Sequence, residues 1–432
     1  MATMIIQSLQ VAVESVFGSI AATTGQPDIS GLTFAALEYD RADGYSGQAT
    51  QVNPRNDARV EAYVLPAEPV TIFSGANRVA RRQGEMSVRF PLRTIGSAST
   101  YATYALMPMG KLFNSCLGAF TPAASSVTAD SNVSATEFNA AGGTGGNLLD
   151  GVLFKADNPN LNNAVAEFSA ITQRSTDALK HSPAVSSDWI TTDVVRTCQM
   201  YYAALGGFSV MPTVALRFDA SGRRWEAAGC RLSSLTISPS DYEVMCDATI
   251  RMPYIVDADG STDPVDPTRA DGQIAHALGA ESIYSAAIGT TTPAELARTA
   301  YDASAWSVTF TPVLAAVGST NDIIGIADLE VTDWAAEVSV TTTPSEGTVD
   351  SDLRDMLLNQ QQRQLLLGCG PVGTGNGAAI LIPAATALTD GLMSEGDDVR
   401  EVMNLQFGAG QWSLDSSATA PGDTNFRIGL SL

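Results

Sequence analysis

Lysine is almost missing from this chain. Only Lys111, Lys155 and Lys180 occur among 432 residues, and 24 basic side chains face 46 acidic ones for a net charge of −22. Gripping a phosphate backbone takes clustered Lys and Arg, so this balance argues against a nucleic-acid binder. Histidine is scarcer still: His181 and His276 are the only two, and neither has a Cys or acidic neighbour at metal-ligand spacing. Zinc sites and His-based triads have little material here. The expectation is a protein with no enzymatic activity, no catalytic residues, no metal and no cofactor. Cys116, Cys198, Cys230, Cys246 and Cys369 are odd in number, far apart and set among apolar neighbours. That pattern predicts small core residues in a reducing compartment rather than a disulfide framework. Met1 to Ile20 lacks the basic start and uninterrupted apolar run of a secretion signal, and no stretch reaches the ~18 apolar residues of a membrane span. No membrane partner is expected, and assembly is expected in the cytoplasm.

What the chain does have is alternation. In Trp225 to Met252, Tyr242, Val244, Cys246, Ala248 and Ile250 interleave with Glu243, Asp247, Thr249 and Arg251, the period of a strand with one buried and one wet face. Ser238-Pro239-Ser240-Asp241 supplies the turn that folds this strand back on Leu235 and Ile237. The same period recurs at Met86, Val88 and Phe90, at Trp306, Val308 and Phe310, at Leu329 and Val331, and at Ala336, Val338 and Val340. It returns at Met403, Leu405 and Phe407, and in the closing Phe426, Ile428, Leu430 and Leu432.

Helical spacing is rarer. Ile190, Val194, Cys198, Tyr201 and Leu205 predict a helix capped by Ser187 and Asp188 and stopped by Gly206-Gly207. Ser351-Asp352 is expected to open another, carrying Leu353, Met356 and Leu357 and closed by Gly368. Leu106 to Leu117 is a short apolar element ending at Gly118. Ile5, Leu9, Val13, Phe17 and Ile20 fit a helix, yet Val11, Val13 and Ser15 also fit a strand. Thr121 to Gly151 is rich in Ala, Ser, Thr, Asn and Gly and shows no period, so a long surface loop is expected there.

With 45% apolar residues and a length beyond that of one growing core, two domains of roughly 100 to 200 residues are expected. The signals divide the chain into an N-terminal arm (1–31), a first domain (32–256) with a long insertion at about 121–215, an acidic linker (257–300) and a second domain (301–432). The halves share an order, GEMSV from Gly84 matching AEVSV from Ala336, which reads as a degenerate internal duplication. The loop GPVGTGNG, Gly370 to Gly377, lacks the Lys and the strand-loop-helix order of a phosphate cradle. Asp257-Ala258-Asp259-Gly260 lacks the spacing of a calcium loop. Arg78, Arg81, Arg82, Arg89 and Arg93 form the single basic concentration and, without interleaved aromatics, are expected to meet acids of a neighbouring subunit.

Taken in order, several segments resemble the major tail tube proteins of long-tailed, siphovirus-like bacteriophages, of the type with two tandem tube domains. They are Gly84-Glu85-Met86-Ser87-Val88 leading to Leu112 to Gly118, and Gly229-Cys230-Arg231-Leu232 to Ile237 with its return strand. Val338 to Pro344, Ile380 to Pro383, Met403 to Phe407 and Phe426 to Leu432 continue the series. The resemblance implies a mainly β fold: two tail-tube-like β-sandwich or barrel domains, each with a flanking helix, assembling into a ring with a continuous inner β-barrel. It implies a structural virion protein whose rings, trimeric with pseudo-sixfold symmetry or hexameric, stack into the hollow tail that conducts genomic DNA during ejection without binding it specifically. The implied partners are further copies of the chain, the tape measure protein, the tail terminator and the distal tail proteins, and the implied location is the virion tail. The insertion departs from the compact pattern of that family.

Excess carboxylate on an inner wall repels phosphates across the ~8 Å screening length of physiological salt. Glu85, Arg89, Glu243, Asp247, Glu337 and Glu401 are therefore the candidate lumen or subunit-interface residues. Two other readings stay open. One is a tail-terminator or baseplate ring protein using the same domain, which would stop at a single ring. The other is an acidic β-sandwich binding carbohydrate or calcium on a cell surface. It predicts grouped aromatics, whereas Trp189, Trp225, Trp306, Trp334 and Trp412 are scattered along the sequence.

Overall fold

Alternating β-branched and aromatic residues leave the backbone one ready way to satisfy its hydrogen bonds, pairing across strands. The computed structural model describes residues 6–19, 28–37, 55–58, 79–92, 108–120, 126–141, 151–157, 167–174, 178–182, 184–185, 188–191, 193–202, 211–220, 223–240, 244–258, 285–289, 299–301, 303–318, 326–342, 358, 363–369, 377–389, 394–395, 401–410, 412–413, 423–424 and 426–431. These residues are mainly β, paired antiparallel, with a single full helical element.

In chain order come β1 (Ile6–Val13), β2 (Ala35–Ala36), β3 (Arg55–Ala58), β4 (Val79–Pro91), α1 (Pro108–Asn114) and β5 (Gly118–Phe120). Next are β6 (Ser126–Ser134), β7 (Glu137–Ala140), β8 (Leu153–Asp157), β9 (Glu167–Arg174), β10 (Ala178–Ser182) and β11 (Val194–Tyr202). β12 (Val214–Ala220), β13 (Arg223–Pro239), β14 (Val244–Met252) and β15 (Tyr254–Ala258) follow. The C-terminal part holds β16 (Ser285–Gly289), β17 (Thr299–Tyr301), β18 (Ala303–Gly318), β19 (Ile326–Thr342), β20 (Arg363–Cys369), β21 (Gly377–Thr389), β22 (Ser394–Glu395), β23 (Glu401–Gly410), β24 (Trp412–Ser413), β25 (Asp423–Thr424) and β26 (Arg427–Ser431).

The hairpin expected from alternation is β13 and β14, with Leu235 opposite Ala248 and Ile237 opposite Cys246. Val244, Cys246, Ala248 and Ile250 are buried while Asp247 is exposed. β13 serves two layers. Its first half lies between β12 and β15, completing the order β2-β1-β12-β13-β15. Its second half lies between β14 and β18, in a sheet that runs β4-β14-β13-β18-β19-β23-β21-β20-β16, with β26, and then β11 and β5, joined to the first part of the β21 edge whose second part pairs with β23. Gly229 sits at the change of layer with φ 70, where a Cβ would approach the Phe17 ring to 2.9 Å.

One core cluster fills the space between these layers and runs from Leu9 and Met86 through Phe113 and Leu232 to Val338, Ile380 and Ile428. Residues of both expected domains share it. The N-terminal segment enters as the strand β1, and the stretch expected as a linker contributes β16 and β17, with β16 joined to β20. Leu329 to Val340, read as two strands, is the single strand β19. All five cysteines are free and buried; burial raises each thiol well above its ordinary range, Cys369 to about 12.

Three expectations fail. The helix over Ile190 to Leu205 is the strand β11. Val194, Val195, Thr197 and the Tyr201-Tyr202 pair are stiff or bulky at Cβ, and the segment finds partners on both edges, β8 and β26 on one and β6 and β5 on the other. Gly368 closes no helix, because β20 runs through it; residues 351–357 of that helix lie outside the described residues. The loop expected over Thr121 to Gly151 contains β6 and β7.

Those last two strands belong to a closed unit. β6 pairs with β7, β7 with β10, β10 with β9, β9 with β8, β8 with β11, and β11 with β6 again, a six-stranded antiparallel barrel inside the expected insertion. Closure removes every sheet edge. Val127, Ala129, Phe138, Phe154, Ile171, Leu179 and Trp189 fill it. His181 lies among them, with its Nδ1 2.9 Å from Ser169 Oγ and its Nε2 accepting from Trp189 Nε1 at 2.8 Å.

The barrel is seated on the larger sheet. Leu153, Phe168, Ala170, Cys198 and Met200 meet Leu366, Ala379 and Leu381, and Arg427 donates from Nη1 to Gly151 O at 2.9 Å. Phe168 and Leu153 occupy hollows left by glycines: a Cβ on Gly377 would come 2.6 Å from Phe168, and one on Gly429 2.8 Å from Leu153. Gly429→Val is expected to lower the unfolding free energy by about 1–3 kcal/mol, the usual cost of overpacking. Urea denaturation measures it, and a change below that range would mean the barrel seat is soft.

Candidate functional site

The wet face of the larger sheet collects the expected site residues. Cross-strand register sets Arg89 beside Asp247, Asp247 beside Thr236, Thr236 beside Thr309, Thr309 beside Glu337, Glu337 beside Gly408 and Gly408 beside Thr386. This polar row crosses β4, β14, β13, β18, β19, β23 and β21. Thr236 and Thr309 are joined hydroxyl to hydroxyl at 3.1 Å. Flanking residues Phe90, Cys246, Ile237, Val308 and Val338 point the other way, into the core. Ser87 and Glu85, one and two same-face steps from Arg89 along β4, are exposed on the same face, with Ser87 opposite Thr249 and Glu85 opposite Arg251.

Four of the six candidates, Glu85, Arg89, Asp247 and Glu337, therefore share one face of one sheet. Glu243 lies outside the described residues. Glu401 begins β23 opposite Glu395, and its side chain lies outside the described set. Glu85 and Glu337, the matching positions of GEMSV and AEVSV, are both exposed there.

The electrostatics of this face are milder than composition implies. Glu85, Asp247, Glu337 and Asp333, two same-face steps from Glu337 along β19, are answered by Arg89 and Arg251, so four acids minus two bases leave a net charge of −2 among these described residues. Arg89 Nε stands 3.6 Å from Asp247 Oδ1, with the carboxylate side chain half exposed, a pair worth at most ~1 kcal/mol and screened by salt. Of the expected basic concentration, Arg81 and Arg82 lie in β4 opposite Asp57 and Asn56, while Arg78 and Arg93 lie outside the described residues.

Behind this face the short helix is held by groups the sequence reading did not single out. The last carbonyls of a helix lack intrahelical donors. Here Trp334 Nε1 donates to Cys116 O at 2.9 Å, and Arg231 Nη1 donates to Ser115 O at 2.6 Å. Arg231 Nη2 donates to Met211 O at 2.9 Å and stands 3.7 Å from Asp328 Oδ1 on β19. The register shift between Leu232 and Ser234 puts Leu232 inward, opposite Ile250, and Arg231 opposite Arg251. Arg231 is nonetheless buried, because the end of the helix and Met211 cover it there.

Glu14 is a second buried anchor. Its carboxylate accepts from Gly229 N, Gly18 N and Thr213 Oγ1, tying β1 to the layer change in β13. These contacts are structural, and they keep the two layers in fixed register.

Among the described residues no group of three or more His, Cys, Asp or Glu is placed to hold a metal ion, and no helix is long and apolar enough to cross a membrane. Neither a protein-family model nor a curated protein matches the chain.

Proposed function

We propose that this chain is a structural subunit that self-assembles into stacked rings, forming the hollow tail tube through which a long-tailed bacteriophage delivers its DNA. The single observation that carries the reading is the polar row from Arg89 to Thr386. It draws strands from both halves of the chain onto one face, with one core behind them. Subunits that joined such sheets edge to edge would continue the row into a wall.

The chemistry of the row suits a conduit. Threonine, serine, balanced charge pairs and a small negative excess offer a sliding polyanion neither a cation cluster to bind nor a strong field to cross. Arg89 and Arg251 are each faced by a carboxylate across the strand, Asp247 and Glu85 respectively. These carboxylates offset the two positive charges on the face and leave no cluster of unopposed cations there among the described residues.

Electron microscopy of the purified full chain tests the proposal. Tubes or stacked rings are expected. Isolated rings at high concentration would move the assignment to a terminator or baseplate ring, and monodisperse monomers would overturn it.

A further inference from the structure

The six-stranded barrel encloses a titratable ring that the proposed function does not use. His181, on β10, is 1% exposed; the other histidine of the chain, His276, lies outside the described residues. Both nitrogens of His181 are engaged, Nε2 accepting from Trp189 Nε1 at 2.8 Å and Nδ1 standing 2.9 Å from Ser169 Oγ. The ring lies edge to face with Phe154 and Trp189, at centroid distances of 5.2 and 5.5 Å, and tilted against Phe138 at 6.0 Å. Its backbone N–H donates to Thr136 O at 2.9 Å, which fixes the residue against the turn between β6 and β7.

An indole N–H can only donate, so the nitrogen that accepts from it carries no proton. Protonation would set two N–H groups against each other across that contact and place a cation among three aromatic rings, away from water. Ser169 can keep its contact, because its hydroxyl accepts from Nδ1–H in either state. In an opened barrel the imidazole meets water and takes up a proton in the ordinary histidine range, near about 6.5.

We infer that His181 makes the small barrel an acid-sensitive unit: uptake of a proton breaks the bond to Trp189, and the barrel opens while the main sheet keeps its strands. The closed barrel binds one proton fewer than the opened one. Its stability is therefore complete above the ordinary histidine range and is lost as pH falls through it. Among the described charged groups around the ring, Asp193 at the head of β11 works in the opposite sense. Burial pushes its carboxyl up, against the Ile190 N–H that donates to it, and an acid raised in this way favours the closed barrel as pH falls. Glu167, buried two residues before Ser169 on the same face of β9, is the acid whose titration has to be separated from that of His181. Glu137 and Lys180 stand opposite each other, flanking the inward Phe138 and Leu179, and Lys155 and Arg196 stand opposite each other on β8 and β11. Asp130 and Asp188 are exposed.

Hydrogen-exchange mass spectrometry of the full chain, corrected for the intrinsic rate at each pH, follows the barrel strands β6 to β10 and the main-sheet strands β13 and β14 between about pH 8 and about pH 5. Opening of the parent barrel should rise about thirtyfold over that range, the consequence of one proton taken up below about 6.5, with the main sheet unchanged. His181→Gln supplies an amide that accepts from Trp189 and donates to Ser169 without titrating, and should flatten the response while Glu167 stays in place. Trp189→Phe should respond less to acid than the parent, since the bond that protonation breaks is already gone. Asp193→Asn should leave the response at least as large. Circular dichroism at the upper pH establishes that each variant folds, and Trp189→Phe carries the comparison if His181→Gln does not. A parent barrel indifferent to pH would overturn the inference. So would a His181→Gln or Trp189→Phe barrel that responds as strongly as the parent, or an Asp193→Asn barrel that no longer responds.

Discussion

Trp189→Ala is expected to lower the stability of the six-stranded barrel by about 3–5 kcal/mol, the range for emptying a buried large aromatic site. Trp189 is fully buried, with ring centroids 4.9 Å from Phe138, 5.5 Å from His181 and 6.1 Å from Phe154. Its loss opens a cavity and also strips the donor from His181 Nε2. Because an indole N–H can only donate, Nε2 must accept, which assigns the ring hydrogen to Nδ1 and its hydrogen bond to Ser169 Oγ. Trp189→Phe keeps most of the volume and removes only the donor, so about 1–3 kcal/mol is expected. Urea denaturation followed by circular dichroism, with hydrogen exchange localised to β6–β11, separates the two. Equal losses for Ala and Phe would mean that the hydrogen bond, and not the packing, holds the barrel.

Arg231→Met should destabilise the larger unit by about 3–5 kcal/mol, because it leaves buried polar partners unanswered. The guanidinium is 1% exposed and serves Ser115 O and Met211 O directly, with Asp328 beside it. Burial pulls its pKa below the ordinary arginine range despite Asp328. Lysine retains the charge but not the planar fork, so Arg231→Lys should recover only part of the loss. Asp328→Asn, at a partly exposed side chain, should cost less than about 1 kcal/mol. The denaturation midpoint at constant m-value reads all three. If Arg231→Met matched Asp328→Asn, the ion pair and not the carbonyl contacts would be the anchor.

Much of the strand content was legible from period-2 alternation, since Met86-Val88-Phe90, Val244 to Ile250, Trp306-Val308-Phe310 and Ala336 to Val340 each bury one face. Alternation failed where a strand is covered on both sides. β11 buries Val195 in the barrel, Cys198 and Met200 in the seat and Tyr201 in the main core, so its apolar residues mimic a helical stripe. β6 and β7 were hidden for another reason: their inward residues include Ala129 and Ala140, too small to stand out from a polar stretch. Glu85, Arg89, Asp247 and Glu337 fall on one wet strand face because alternation alone places charge there, with no special geometry needed. Arg231 and Glu14 were missed because the helix end that covers the one and the layer change that buries the other are invisible in residue type.

The strand β11 is a stave of two vessels at once. Val194 to Thr197 complete the small barrel, and Cys198 to Tyr202 sit between β26 and β5 in the main sheet. The small barrel is consequently no detachable cassette. A deletion that trimmed it away at its own boundaries would tear a rung from the larger wall, and only a cut that spared Cys198 to Tyr202 could leave that wall whole.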